Sequence, residues 1–254
     1  MRRFRHLTGQ HRTAFTNRLL GALLAFNAGA VNAGGFLVVA MYTSHMTGFA
    51  SLLADNLVLG NMTLVLGATG ALLAFTVGAA VTAILVNGAR QNGLRSEYAL
   101  PLLLEAVLLL IFGLMGATLN RQTPFAVPLT VLVLSFTMGL QNALVSKISS
   151  SQIRTTHMTG IVTDIGIELG KMLYWNRLGS PLESRVRANR IKLRLLGTLL
   201  GAFVAGGVVG AAGFKYVGFI WVVPLALLLL ALCVPPLYSD LLRTLKRKAI
   251  RQGT

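Results

Sequence analysis

The apolar residues of this chain come in long unbroken runs. Six of these runs approach or exceed the ~20 residues that a helix needs to cross a hydrocarbon core ~30 Å thick. They cover about 19–41, 62–86, 98–117, 125–145, 195–213 and 217–237. None alternates with the period of two that a membrane barrel strand requires. A backbone in lipid must satisfy its own polar groups, so each run predicts a helix. The pattern therefore predicts an all-α membrane protein of about six transmembrane helices. Two shorter amphipathic stretches, about 47–59 and 159–173, follow the first and fourth runs. A polar segment without helical pattern leads into each. Ala28 and Ala30 mimic a signal-peptide cleavage site, but the apolar run continues past them to Met41, which predicts a retained span.

Composition agrees with the pattern. The chain is 54% hydrophobic and 12% charged, against roughly a quarter charged in a soluble domain. The formal net charge of +16 raises nucleic-acid binding as an alternative. The basic residues form no cluster interleaved with aromatics; they lie between the apolar runs and at the two ends, so no nucleic-acid partner is expected. With the N-terminus inside and six crossings, 21 of the 23 Lys and Arg residues fall on the cytoplasmic side, leaving Arg121 and Lys215 outside. Retained positive charge sets topology, so both ends are expected inside. The basic 176–194 loop and the 239–254 tail are expected to lie along anionic lipid headgroups. Cys233 stands alone, which excludes a disulfide within the chain and a cysteine-rich metal site.

Two passages repeat. Ser44-His45-Met46-Thr47-Gly48 recurs as Thr156-His157-Met158-Thr159-Gly160, and Gly29-Ala30-Val31-Asn32-Ala33 recurs as Gly139-Leu140-Gln141-Asn142-Ala143. After each motif comes a span with small residues four apart, Gly70, Ala74 and Gly78 in one half and Gly197, Gly201 and Ala205 in the other. Such residues let helices approach closely. The last span of each half begins near a proline, Pro101 or Pro224. The halves, about 19–117 and 125–238, thus have three spans each. An odd count inserts the second half upside down, a construction common in secondary transporters.

The paired Thr-Gly motifs, with Gly-Leu-Gln-Asn-Ala ahead of the second, resemble the YoaK family, bacterial membrane proteins catalogued as a domain of unknown function. The resemblance covers most of the chain. It implies about six helices in a bacterial cytoplasmic membrane and brings no established substrate. The chain departs from it at Phe49, where the family usually has Asn after the first Thr-Gly. If that Asn belongs to a site, the site here is altered or one-sided.

Thr47 and Thr159 are reasonable N-caps for the two short helices. If these helices re-enter the bilayer from opposite faces, their N-termini, each carrying roughly half a positive charge, converge and suit an anionic group. If they lie in the headgroup layer, their polar stripes are solvated faces. The sequence leaves both readings open. Candidate substrate contacts are Thr47, Gly48, Thr159, Gly160, His45, His157, Asn32 and Asn142. Asn32 and Asn142 serve equally well as hydrogen-bonding glue between helices. Candidate ion- or proton-coupling residues are Glu105, inside the third span, with Asp164 and Glu168 one turn apart. Glu105 also lies near enough to the inner face to pair with Arg95 or reach water. The two histidines lack further ligands at metal-binding spacing. No nucleophile elbow, HExxH motif or nucleotide loop is present, so neither catalysis nor a cofactor is expected. A transporter of a small solute, anionic if the helix termini bind it, is the leading expectation. A membrane scaffold or partner subunit, self-associating through its glycine-rich spans, is the alternative.

Overall fold

The computed structural model describes residues 14–119, 126–148, 156–176 and 185–252. These form α1 (Ala14–Val39), α2 (Met46–Leu59), α3 (Met62–Gln91), α4 (Ala99–Leu119), α5 (Ala126–Ile148), α6 (Met158–Leu173), α7 (Arg190–Tyr216) and α8 (Val222–Gln252), with a 3-10 turn (Gly218–Trp221) before α8. No strand occurs among the described residues. Six helices are long and apolar enough to cross a membrane, and α2 and α6 are the two short ones. Arg154 and the rest of the approach to the second motif lie outside the described residues, as does Arg121.

Local chemistry sets the helix ends. Asn61 caps α3, its Oδ1 accepting the Leu64 N–H at 3.3 Å, and Asn189 caps α7 by accepting the Lys192 N–H at 2.9 Å. Gly60 closes α2 at φ 72°, a left-handed conformation that glycine adopts without a Cβ penalty. The last helix runs through Pro235 and Pro236 to Gln252, so the basic tail that was expected to begin a separate surface segment near 239 continues the sixth span.

Burial ranks the helices. The apolar stretches of α1 and α5 are each 61% buried, those of α3 and α7 only 22%. Thus α1 and α5 form the interior, with α7 packed on α1, α3 on α5, and α4 on α8. The outer faces are apolar: Met62, Leu66, Leu73 and Ile84 on α3, Val204 and Val208 on α7 are exposed. An apolar surface on this scale fits lipid as its solvent.

The α1–α7 and α3–α5 crossings use matching residues. A Cβ added at Gly29 would collide with the Phe203 carbonyl, and one at Gly206 with the Phe26 carbonyl. Across the other pair, Gly139 meets the Phe75 carbonyl and Gly78 the Phe136 carbonyl. Backbone touches backbone at both, the close approach expected of small residues in membranes. The residues differ in part from those expected. Gly197 and Gly201 face open space, and on α7 Gly206 and Gly210 make the contact. A four-residue spacing marks a helical face without saying which of several such faces meets a neighbour. Thr82 adds a bond across α3–α5, donating to the Leu140 carbonyl at 2.9 Å.

At one end of the bundle, polar bonds fasten the α3–α4 connection. Arg90 pairs with Glu97 at 2.6 Å and donates to the Tyr98 hydroxyl at 2.8 Å. Ser96 donates through N–H and Oγ to Asp240 of α8, at 2.8 and 2.7 Å.

Candidate functional site

The short helices carry the repeated motifs, and their placement brings the motifs together. The α2 helix doubles back along the first half of α3, burying Phe49 with Ala68 and Ala71 and packing Leu52 and Leu53 against them. Its start faces Phe75 and Ala79, 13 and 17 residues into α3. At ~1.5 Å per residue that is ~20–26 Å from the beginning of a helix ~45 Å long. The first turn of α2 therefore stands at mid-length of α3. The α6 helix packs on α7 and presents its own first turn to the same space.

That space is a cavity of about 370 Å³. Ser44, His45, Met46 and Thr47 form one wall; Thr156, His157, Met158 and Thr159 form another. Gly139, Asn142, Ala143 and Ser146 of α5 line it as well. Small residues on α3 and α5 leave the room, and the motifs supply the polar groups.

The helices begin one residue before the threonines expected to cap them. His45 and His157 hold the N-cap positions, with non-helical ψ of 73° and 57°, and neither makes a side-chain cap bond. A cap side chain would satisfy one of the free N–H groups of the first turn, and here it does not. Each imidazole instead lies against the glycine three residues on. A Cβ on Gly48 would strike the His45 ring, and one on Gly160 the His157 ring. That accounts for the spacing from His to Gly in both motifs. Thr47 and Thr159 line the cavity from the first helical turn, while Gly48 and Gly160 sit beneath the rings and outside its wall.

Asn32 and Asn142 fix the approach to each motif. Asn32 Oδ1 accepts from the Ser44 hydroxyl at 2.9 Å and from the Ser44 N–H at 3.4 Å. Asn142 Nδ2 donates to the Thr156 hydroxyl. Both asparagines therefore anchor the residue that opens the motif, and Asn142 also reaches the cavity wall. Phe49 is 5% exposed in the core, and its counterpart Ile161 is equally buried, so the departure at Phe49 leaves the polar walls of the cavity two-sided.

The three candidate coupling residues lie elsewhere. Asp164 pairs with Lys192 at 3.1 Å at the junction of α6 and α7. Glu168 accepts the Asn189 N–H at 2.6 Å and pairs with Lys171 at 2.9 Å. The Asn189 N–H first, then Lys171, hold its carboxyl below the ordinary carboxylate range. Both acids fasten α6 to the start of α7, outside the cavity. Glu105 is fully buried and bonded to Asn27 of α1 at 3.2 Å, paired with neither Arg95 nor water-facing groups. Sequence reasoning missed Asn27, which sits in an apolar run with no motif around it, and Ser146. A shift of 128 residues, which carries Asn61 to Asn189, Phe75 to Phe203 and Gly78 to Gly206, would have found the contact glycine Gly206 of α7.

A family model described as "Protein of unknown function (DUF1275)" matches residues 20–234. The chain is 26% identical over 193 residues to the "UPF0700 transmembrane protein YoaK" of Bacillus subtilis (strain 168), covering 74% of this chain and 84% of that one. No solved structure matches it.

Proposed function

Starting from the premise that this chain belongs to the DUF1275 family of multi-pass membrane proteins, we propose that it is a secondary transporter of a small anionic solute, bound between the two histidine-threonine motifs. The observation that carries this reading is the single cavity walled by both tetrapeptides, more than a hundred residues apart in the chain. Two helix starts with uncapped first turns face it. Free N–H groups and the positive ends of both helices favour a negative ligand. No carboxylate is among the described lining residues to oppose one.

The matched crossings, caps and motifs support two three-span units of opposite orientation, with α2 and α6 as re-entrant half-helices. The basic residues favour both ends inside a bacterial cytoplasmic membrane. Irregular backbone at mid-depth is tolerable where it lines a cavity, as Ser44 and His45 do at the head of α2. A scaffold or self-associating role is the second reading, favoured by Gly197 and Gly201, whose faces on α7 are open.

The purified protein is to be screened by thermal shift against small inorganic and organic anions, with cations as controls, since a ligand stabilises the state that binds it. The expected result is stabilisation by an anion that Thr47→Val and Thr159→Val each reduce, together with movement of that anion into reconstituted vesicles. Binding untouched by both substitutions would refute the site. A bound anion that never crosses the vesicle membrane would refute transport.

A further inference from the structure

The interior holds a second polar locus, joining α1 to α4 and separate from the lining of the cavity. Glu105 of α4 and Asn27 of α1 are both 0% exposed. Asn27 Nδ2 donates to Glu105 Oε1 at 3.2 Å. The remaining polar atom of each group, Glu105 Oε2 and Asn27 Oδ1, has no partner among the described residues. Two buried acceptors are thus left over on two side chains already joined by one bond. An ionised carboxylate buried without a countercharge is strongly unfavourable, and unmatched buried acceptors add to the cost.

Among the described residues the surroundings supply no cation. Across from α4, α1 offers Asn27, and of the helices packed against α4, α8 offers the buried thiol of Cys233. The charged residues of these helices whose side chains the structure describes are Arg18, Arg90, Lys147, Asp240 and Arg243; Lys246, Arg247, Lys248 and Arg251 follow in the last turns of α8, thirteen or more residues beyond Cys233. Arg90 is committed to Glu97, Arg243 to Asp240 and Lys147 to Asn87, and Arg18 stands more than two helical turns from Asn27.

We infer that Asn27 and Glu105 form a proton-binding site within the bundle, the bound proton sitting on Glu105 Oε2 and closing a two-bond acid–amide pair with Asn27. One proton turns Oε2 from acceptor to donor and gives Asn27 Oδ1 its partner. The same proton removes the buried charge. The pair ties α1 to α4, and five residues further along α1, ~7.5 Å, Asn32 holds Ser44 at the cavity wall. Release of the proton leaves an anion facing the Asn27 carbonyl and loosens α1 from α4. Binding at this site is therefore positioned to bias the helix that anchors the first motif. That consequence rests on the transporter reading; the proton site does not.

The test is infrared difference spectroscopy of the full chain in lipid vesicles during a pH titration. The expected result is a protonated-carboxyl C=O band near neutral pH that is lost at alkaline pH and absent in Glu105→Gln. The glutamine amide can donate to and accept from Asn27, so Glu105→Gln should keep the wild-type melting temperature and lose its dependence on pH in that range. Asn27→Ala should retain the band and shift its frequency, because the acid loses its partner. Absence of the band in the wild type overturns the proposal, as does a band unmoved by Asn27→Ala. Stabilisation by sodium at constant pH that vanishes in Glu105→Gln overturns it in favour of a metal cation. A pH-sensitive dye inside the vesicles separates the two readings. The carboxyl band without solute-driven proton movement retains the site and removes its coupling role.

Discussion

Adding a single methyl group at Gly139 should destabilise the protein, and adding one at Gly201 should not. At Gly139 the new Cβ would fall on the Phe75 carbonyl, with the Phe75 Cα 2.9 Å away, well inside the 3.4–4 Å of ordinary contact. Both sides of this contact are helix backbone, so no rotamer change relieves it and α3 must move off α5. Overpacking of this kind costs ~1–3 kcal/mol. Replacing a helical glycine by alanine returns up to ~1 kcal/mol of intrinsic preference. With rigid groups on both sides the cost belongs near the top of its range, leaving a net loss of about 2 kcal/mol. Gly201 has no heavy atom from outside its own stretch of helix within 4 Å of its Cβ position, so only the preference operates and Gly201→Ala should be neutral or stabilising by up to ~1 kcal/mol. Gly29, Gly78 and Gly206 occupy contacts like that of Gly139 and should lose a similar amount. Equilibrium unfolding of the purified variants in mixed micelles measures these values. A Gly139→Ala protein within ~0.5 kcal/mol of wild type, inside the scatter of ordinary surface changes, would refute the backbone-to-backbone crossing. Equal losses at Gly139 and Gly201 would do the same.

Three further outcomes follow from the motifs and from the α6–α7 junction. Gly48→Ala and Gly160→Ala should displace the His45 and His157 rings, since the ring is what the new methyl meets; anion binding in the thermal-shift assay should weaken at least tenfold with little change in unligated stability, and unchanged binding would show that the ring positions are irrelevant. Asn32→Ala and Asn142→Ala should each cost ~0.5–1.5 kcal/mol, the usual net worth of a hydrogen bond, and should increase hydrogen exchange at residues 44–48 and 156–160; protection identical to wild type would argue against the anchoring role. Glu168 has its folded pKa depressed, so its stabilising contribution is present above the unfolded value near 4.5 and is lost as pH falls through the lower folded value. Acidification across that window should therefore lower the melting temperature of the wild type more than that of Glu168→Gln, whose amide oxygen can still accept from Asn189; parallel curves would rule the group out as the cause.

The sequence alone determined the class of this protein, because crossing lipid demands continuous apolar helices and leaves few other readings of six such runs. It also exposed the paired motifs. The far ends of the short helices, Leu59 and Leu173, fall where the pattern placed them, since a glycine at φ 72° stops one and the amphipathic pattern runs out at the other. Tertiary structure alone decided what the polar residues do. In sequence Asp164, Glu168 and Glu105 look alike as acids on apolar helices. In space two of them are consumed by Lys192, Lys171 and Asn189, and the third is sealed against Asn27. The sequence offered the histidines as substrate contacts and gave no hint that their rings lie against Gly48 and Gly160. The contact glycines of α7 were ambiguous for a related reason. Periodicity assigns a residue to a face of its helix, and the identity of the neighbour across that face depends on chain segments a hundred or more positions away.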